Sequence, residues 1–348
     1  MRRVVICGAL QCEKENFGDA LLRKILINNL KKFDPNITIV DYDEKMKFKN
    51  LLCCDYFIYI PGGYMGYIEK WYSGSWFKSL QRIKNYYWPG IKAILLRKKI
   101  ILLGQGIGPY EYPILDKMLK IIATNAELIT VRDEKGKALL RKIGVKNKIY
   151  LTADTAQTLL QHNFIMEDPT VKRIKENFKS SESIIFVHYI GVPTYENKLY
   201  GVLRQTFFDN PNISFVIGAD GALPRGKVSN FARLFPKNRF ITYKYESVEQ
   251  LVSIINSVDC VITGKFHVGI VGATLSKAVI SLSVQYAKTS LYYEQIGYLD
   301  RCVDVFDADE SIIKNMIQSY YDKPIELPME IRQKAQANYE ILFDYLGQ

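Results

Sequence analysis

The chain has 348 residues, 48% apolar and 13% aromatic, too many for one ordinary core and too apolar for a disordered chain, so two globular domains are expected. Its formal net charge of +11 fits either a solvated basic surface or an anionic partner: a phosphate-bearing substrate, an acidic membrane face or nucleic acid. Nucleic acid has the least support, because neither zinc-finger spacing nor an RNA-binding aromatic signature occurs.

"RVVICGAL" (3–10) predicts a buried strand, and the polar "QCEKEN" after it, without a small-residue cleavage site, argues against a secretory leader. "NFGDALLRKILINNLKKF" (16–33) predicts a helix, with Leu22, Leu26 and Leu30 forming one apolar stripe. "YFIYIPGG" (56–63) and "KKIILLGQGIGP" (98–109) predict strands running into glycines. Next come a helix over "ILDKMLKIIATNA", a strand over "ELITVRD", a helix over "EKGKALLRKIGV" stopped by Gly144, and a strand over "NKIYLTAD". Polar "MEDPTVKRIKENFKSSES" (166–183) marks a linker.

The pattern then restarts. Strands are expected at "SIIFVHYIG", "NISFVIGAD" and "RFITYKY", followed by a helix at "SVEQLVSIINSV" opened by Ser247. "DCVITGKFH" (259–267) leads through a helix at "VGIVGATLSK" into the strand "AVISLSV", and the tail is helical. Short buried strands alternating with helices predict α/β domains with largely parallel sheets. The expected division is 1–175, 176–310 and a helical segment 311–348. No stretch is long and apolar enough to span a bilayer. Six cysteines without a CxxC pair predict buried free thiols and a cytoplasmic chain. No metal-ligand cluster is apparent.

In such sheets ligands sit beyond the carboxyl ends of the strands, so the residues delivered there matter most. Asn16, Gly18 and Asp19 follow the first strand, as helix cap or as a polar face toward substrate. Gly62 and Gly63 permit close backbone approach, as does the "GQGIGP" run with Gln105 and Gly106. That run lacks the dinucleotide-binding spacing, so no nicotinamide cofactor is inferred, and no Walker pattern occurs either. Arg132 suits a carboxylate or phosphate, or else a structural ion pair; Asp154 suits a cap or a base. Lys265 and His267 would share a face if the strand persists through them. His188, inside an apolar strand, is expected to be structural, and the aromatic stretch Tyr64–Phe77 suits sugar stacking, a membrane interface or plain packing.

In this order, "NFGD", "PGG", "LLGQGIGP", "ITVRDEKGKALLRKIG", "LTAD", "GKFHVGIVGATLSKAVI" and "VQYAK" resemble the polysaccharide pyruvyl transferases across nearly the whole chain. The resemblance implies two Rossmann-like domains in a glycosyltransferase-B-like arrangement, with an acceptor side first and a donor side second. It implies phosphoenolpyruvate as co-substrate, with no metal or cofactor, and a sugar acceptor, lipid-diphosphate-linked at the inner membrane face. Arg132, Lys265, His267 and Lys288 are the implied donor ligands, Lys265 standing where the family usually has Arg. His267 is the general acid or a phosphate ligand, and Asp19 or Asp154 the base. A nucleotide-sugar-dependent glycosyltransferase of the same fold is the rival reading; oligomeric state does not follow from the sequence.

Overall fold

The computed structural model describes residues 2–8, 16–42, 48–65, 80–108, 113–221 and 226–347. The chain forms two compact units: one of Met1–Gln11, Asp19–Thr158 and Met329–Gln348, the other of Cys12–Gly18 and Leu159–Pro328. The change of unit thus falls after Thr158 rather than after 175. The expected helical tail is also divided, since the helix Glu310–Tyr320 stays with the second unit while Met329–Gly347 joins the first.

The first unit holds strands β1 (Arg3–Cys7), β2 (Thr38–Asp41), β3 (Tyr56–Tyr59), β4 (Lys99–Gln105), β5 (Ala126–Val131) and β6 (Tyr150–Leu151). They pair in the order β2-β1-β3-β4-β5-β6, all parallel. β3 and all but the first residue of β1 and of β4 are buried, as continuous apolar strands of a covered parallel sheet should be. Leu22, Leu26 and Leu30 of the helix Phe17–Phe33 are fully buried, as their spacing predicted. The helix Met329–Gly347 is fastened by Asn338: Thr130 and Thr152 donate to its Oδ1 at 2.6 and 2.9 Å, and its Nδ2 donates to the Ala153 carbonyl at 2.9 Å. Three satisfied buried bonds anchor this helix more specifically than its apolar face alone would.

The second unit holds β7 (Ser183–His188), β8 (Ile213–Gly218), β9 (Phe240–Thr242), β10 (Cys260–Thr263), β11 (Ala278–Ser283) and β12 (Cys302–Asp304). Their order is β12-β11-β10-β7-β8-β9, again parallel throughout. The order reverses between β7 and β10, and the crevice at such a switch is where doubly wound sheets hold ligands. The expected linker at 166–183 contains a helix instead, Pro169–Asn177, capped by Asp168, which accepts from the Thr170 N–H at 2.7 Å. Its Thr170, Val171 and Ile174 are buried, a sparse apolar stripe that the surrounding lysines and glutamates mask in sequence.

Cys7, Cys54, Cys260 and Cys302 are free and buried, whereas Cys53 is exposed. From residue 66 onward, the aromatic stretch Tyr64–Phe77 lies outside the described residues. Among the described residues no helix is long and apolar enough to cross a membrane.

Candidate functional site

In the second unit the strand ends converge on the switch between β7 and β10. β10 stops at Thr263, and Lys265 takes the position before the helix Phe266–Thr274, so His267 belongs to that helix's first turn. The expectation that Lys265 and His267 share a strand face is therefore replaced by a helix start. Thr263 closes this turn, its Oγ1 accepting the Lys265 N–H at 3.0 Å. The helix has no side-chain cap at Lys265, and its first N–H groups add partial positive charge to that of Lys265. Lys265 is exposed and His267 half-buried.

Lys288 lies in the first turn of the helix Tyr286–Gln295, which follows β11. Its ammonium stands 4.5 Å from the centroid of the Phe266 ring, a cation–π contact. Phe266 in turn meets His267 edge-on at 5.0 Å. Lys265, His267 and Lys288 thus come from two adjacent strand ends, and His267 and Lys288 both contact the ring of Phe266, the residue after Lys265.

His188 ends β7 and is fully buried. Its Nδ1 lies 2.8 Å from Thr263 Oγ1, bridging the two strands of the switch. Its Nε2 is 3.4 Å from Asp220 Oδ1, a contact that is electrostatic rather than an aligned hydrogen bond. Asp220 follows β8, and its side chain is 16% exposed. Burial acts to raise its pKa, but the charges of His188 and Lys265 outweigh burial and hold the carboxyl well below the usual range. His188, expected to be structural, is buried and bridges the two strands; Asp220 was not singled out from the sequence. The signal was present: "FVH" and "VIGAD" are strand ends, as "VITGKFH" is.

The segment Asn16–Gly18 groups with this unit. Asn16 Oδ1 accepts the Gly18 N–H at 3.1 Å, a local capping contact. The Phe17 N–H donates to the Asp220 carbonyl at 3.0 Å, and the Phe17 ring meets Tyr245 edge-on at 6.4 Å. Gly18 lies directly against His267, so that a Cβ there would come within 2.1 Å of Nδ1. Only glycine fits, which accounts for the residue at that position in "NFGD". Asp19 is the first residue grouped with the other unit.

The remaining sequence-predicted residues cluster in the first unit. Arg132 and Asp154 are buried, 6% and 4% exposed, and form an ion pair at 2.8 Å. Asp154 Oδ1 also accepts the Ala156 N–H at 3.0 Å, and Asp133 caps the helix Glu134–Lys142 by accepting from Gly136 at 2.7 Å. A Cβ on Gly106 would lie 2.4 Å from the Arg132 guanidinium, so a larger residue there would push that group aside. Gln105 Nε2 donates to the carbonyls of Ile60 and Leu103 at 2.7 and 2.9 Å. The Gly106 N–H donates to Gly62 at 2.8 Å, lacing the loop after β3 to the end of β4. Gly63 follows in the same loop. The structure therefore pairs Arg132 with Asp154 in the first unit and, in the second, brings His267 and Lys288 onto the Phe266 ring next to Lys265.

Two doubly wound parallel sheets with a cationic switch-point site define a two-unit α/β enzyme fold. The same fold occurs in UDP-GlcNAc 2-epimerase from Methanocaldococcus jannaschii, at a TM-score of 0.68 and 11% identity, with both chains covered in full. A structure of that epimerase in complex with UDP-GlcNAc and UDP is similar at 0.63 and 10% identity, again over 100% of both chains. A further UDP-N-acetylglucosamine 2-epimerase is similar at 0.67 and 13% identity, over 100% of this chain and 97% of that one. At such identities the likeness shows the fold, which is the glycosyltransferase-B-like class expected from the sequence. No curated protein matches the chain. The profile of the family described as polysaccharide pyruvyl transferase matches residues 16–286, and the chain belongs to that family.

Proposed function

We propose that the chain transfers the enolpyruvyl unit of phosphoenolpyruvate to two hydroxyls of a sugar, forming a pyruvate ketal of a bacterial surface polysaccharide and releasing phosphate. The observation that carries the reading is the Lys265–His267–Lys288 group at the switch point of a chain in this family. Phosphoenolpyruvate needs cations for its phosphate and for its carboxylate, and Lys265 at an uncapped helix start and Lys288 against the Phe266 ring supply them. His267 donates a proton to the enol methylene, which makes C2 electrophilic. One sugar hydroxyl attacks C2, the C2–O bond to phosphate breaks, and the second hydroxyl closes the ring. The two hydroxyl protons leave to a base and to phosphate. The family resemblance leaves the base between Asp19 and Asp154, of which Asp154 is buried and paired with Arg132.

The nucleotide-sugar reading has a specific obstacle in the second unit. Doubly wound folds hold a nucleotide's phosphates at their first βα turn, which here lies between β7 and the helix Pro193–Phe207. There Glu196 Oε1 already accepts the N–H groups of Ile190, Gly191 and Val192 at 3.2, 2.8 and 3.1 Å. A diphosphate would have to displace that buried carboxylate. His267→Ala should leave the melting profile intact and abolish most phosphate release from phosphoenolpyruvate with a sugar acceptor. Near-normal turnover in the folded variant would refute the assignment.

A further inference from the structure

A second feature of the same sheet edge is not used by this chemistry. At the carboxyl end of β9 lies a cavity of ≈ 430 Å³, within the size range of small-molecule sites. Tyr243 and Lys244 line it just past β9. Asp168 and Arg173 come from the helix Pro169–Asn177 and its cap, Ser229 from the helix Lys227–Ala232, and Glu246 from the following loop.

Two properties separate this cavity from the donor group. Its charges balance, Arg173 and Lys244 against Asp168 and Glu246, whereas the donor group brings two lysines and a histidine to a switch where the Asp220 carboxylate lies near Lys265. A multiply charged anion favours the second environment. A neutral polyhydroxyl compound suits the first, where donors and acceptors of both signs stand beside the apolar faces of Val228, Pro169 and the Tyr243 ring. Its position also fits. Strands lie about 4.8 Å apart, so the β9 end is roughly 15 Å from the β10 end along the sheet edge. Tyr243 links the cavity to the switch, since its hydroxyl donates at 2.9 Å to the carbonyl of Ala219, the neighbour of Asp220.

We propose that the cavity at the end of β9 is a saccharide subsite that holds part of the acceptor glycan beside the donor group. The word acceptor rests on the pyruvyl-transfer reading; the binding of sugar does not. Saturation-transfer NMR of the full chain against free hexoses, N-acetylhexosamines and their disaccharides tests it, followed by steady-state phosphate release with the sugars that bind. Ser229→Trp fills the cavity from an exposed position. The double variant Lys244→Ala with Glu246→Ala, also exposed, leaves the space open and removes polar partners, which covers a failure of the first to fold. Both should lose most of the saturation transfer and raise the acceptor KM about tenfold or more, with the phosphoenolpyruvate KM within about twofold of the parent. The subsite is overturned if no sugar of the panel binds the parent chain, if binding is equal in both variants, or if the donor KM rises instead. Cavity-dependent sugar binding without any phosphate release from phosphoenolpyruvate would uphold the subsite and refute the activity.

Discussion

Replacing Arg132 by Ala separates a ligand from a structural strut. The guanidinium sits 2.8 Å from Asp154 with both residues almost fully buried. Removing one partner of a buried pair costs about 3–5 kcal/mol, because the other charge is left uncompensated. Asp154 would keep the Ala156 N–H at 3.0 Å, so the lower end, about 3 kcal/mol, is expected. For a domain of this size each kcal/mol moves Tm by about 2–4 °C, giving a fall of roughly 6–12 °C. Thermal melts by circular dichroism, run with Asp154→Asn and the double variant, measure this loss and the coupling between the two residues. The double variant should be more stable than Arg132→Ala alone. If Arg132→Ala melts like the parent while phosphoenolpyruvate affinity collapses, the strut argument fails and the donor role implied by the family resemblance is the correct one.

Gly18→Ala should disturb His267 from a distance of one methyl group, since the added Cβ would come within 2.1 Å of Nδ1. Phosphate release should fall about tenfold or more, and a Gly18→Ala/His267→Ala double variant should recover the parent's Tm but not its activity; unaltered activity in Gly18→Ala would refute the contact. Asp220 predicts an acid limb in stability. Its carboxyl titrates below the usual 3.8 in the folded chain, so the unfolded chain binds the proton first and stability falls as pH drops below about 5. Urea midpoints at pH 7 and pH 3 should differ less in Asp220→Asn than in the parent, and an equal difference would refute the argument.

The sheets were largely legible in the sequence because their strands are buried on both faces and appear as continuous apolar runs. β2 and β12 were not legible. Both are short sheet-edge strands, and neither presents a long buried run. The helix Pro169–Asn177 was hidden by charged residues surrounding a stripe of three buried ones. At the site, Lys265 and His267 were visible because polar residues at the end of an apolar strand are conspicuous. His188 was noticed but set aside, since its partners Thr263 and Asp220 are distant in the chain and local pattern carries no information about such pairing. Arg132 and Asp154 were singled out correctly as strand-end residues, yet only the fold shows that they face each other.

The interleaving of the two units along the chain bears on vectorial synthesis. The first unit opens the sequence, but the carbonyl side of Asn338, which Thr130 and Thr152 both bond, is supplied only after the entire second unit has been made. At about 5–20 residues per second, the gap between Thr152 and Asn338 corresponds to roughly 10–40 s on the ribosome. During that interval the β5–β6 edge stands without the helix Met329–Gly347, and the unit translated first is the one completed last.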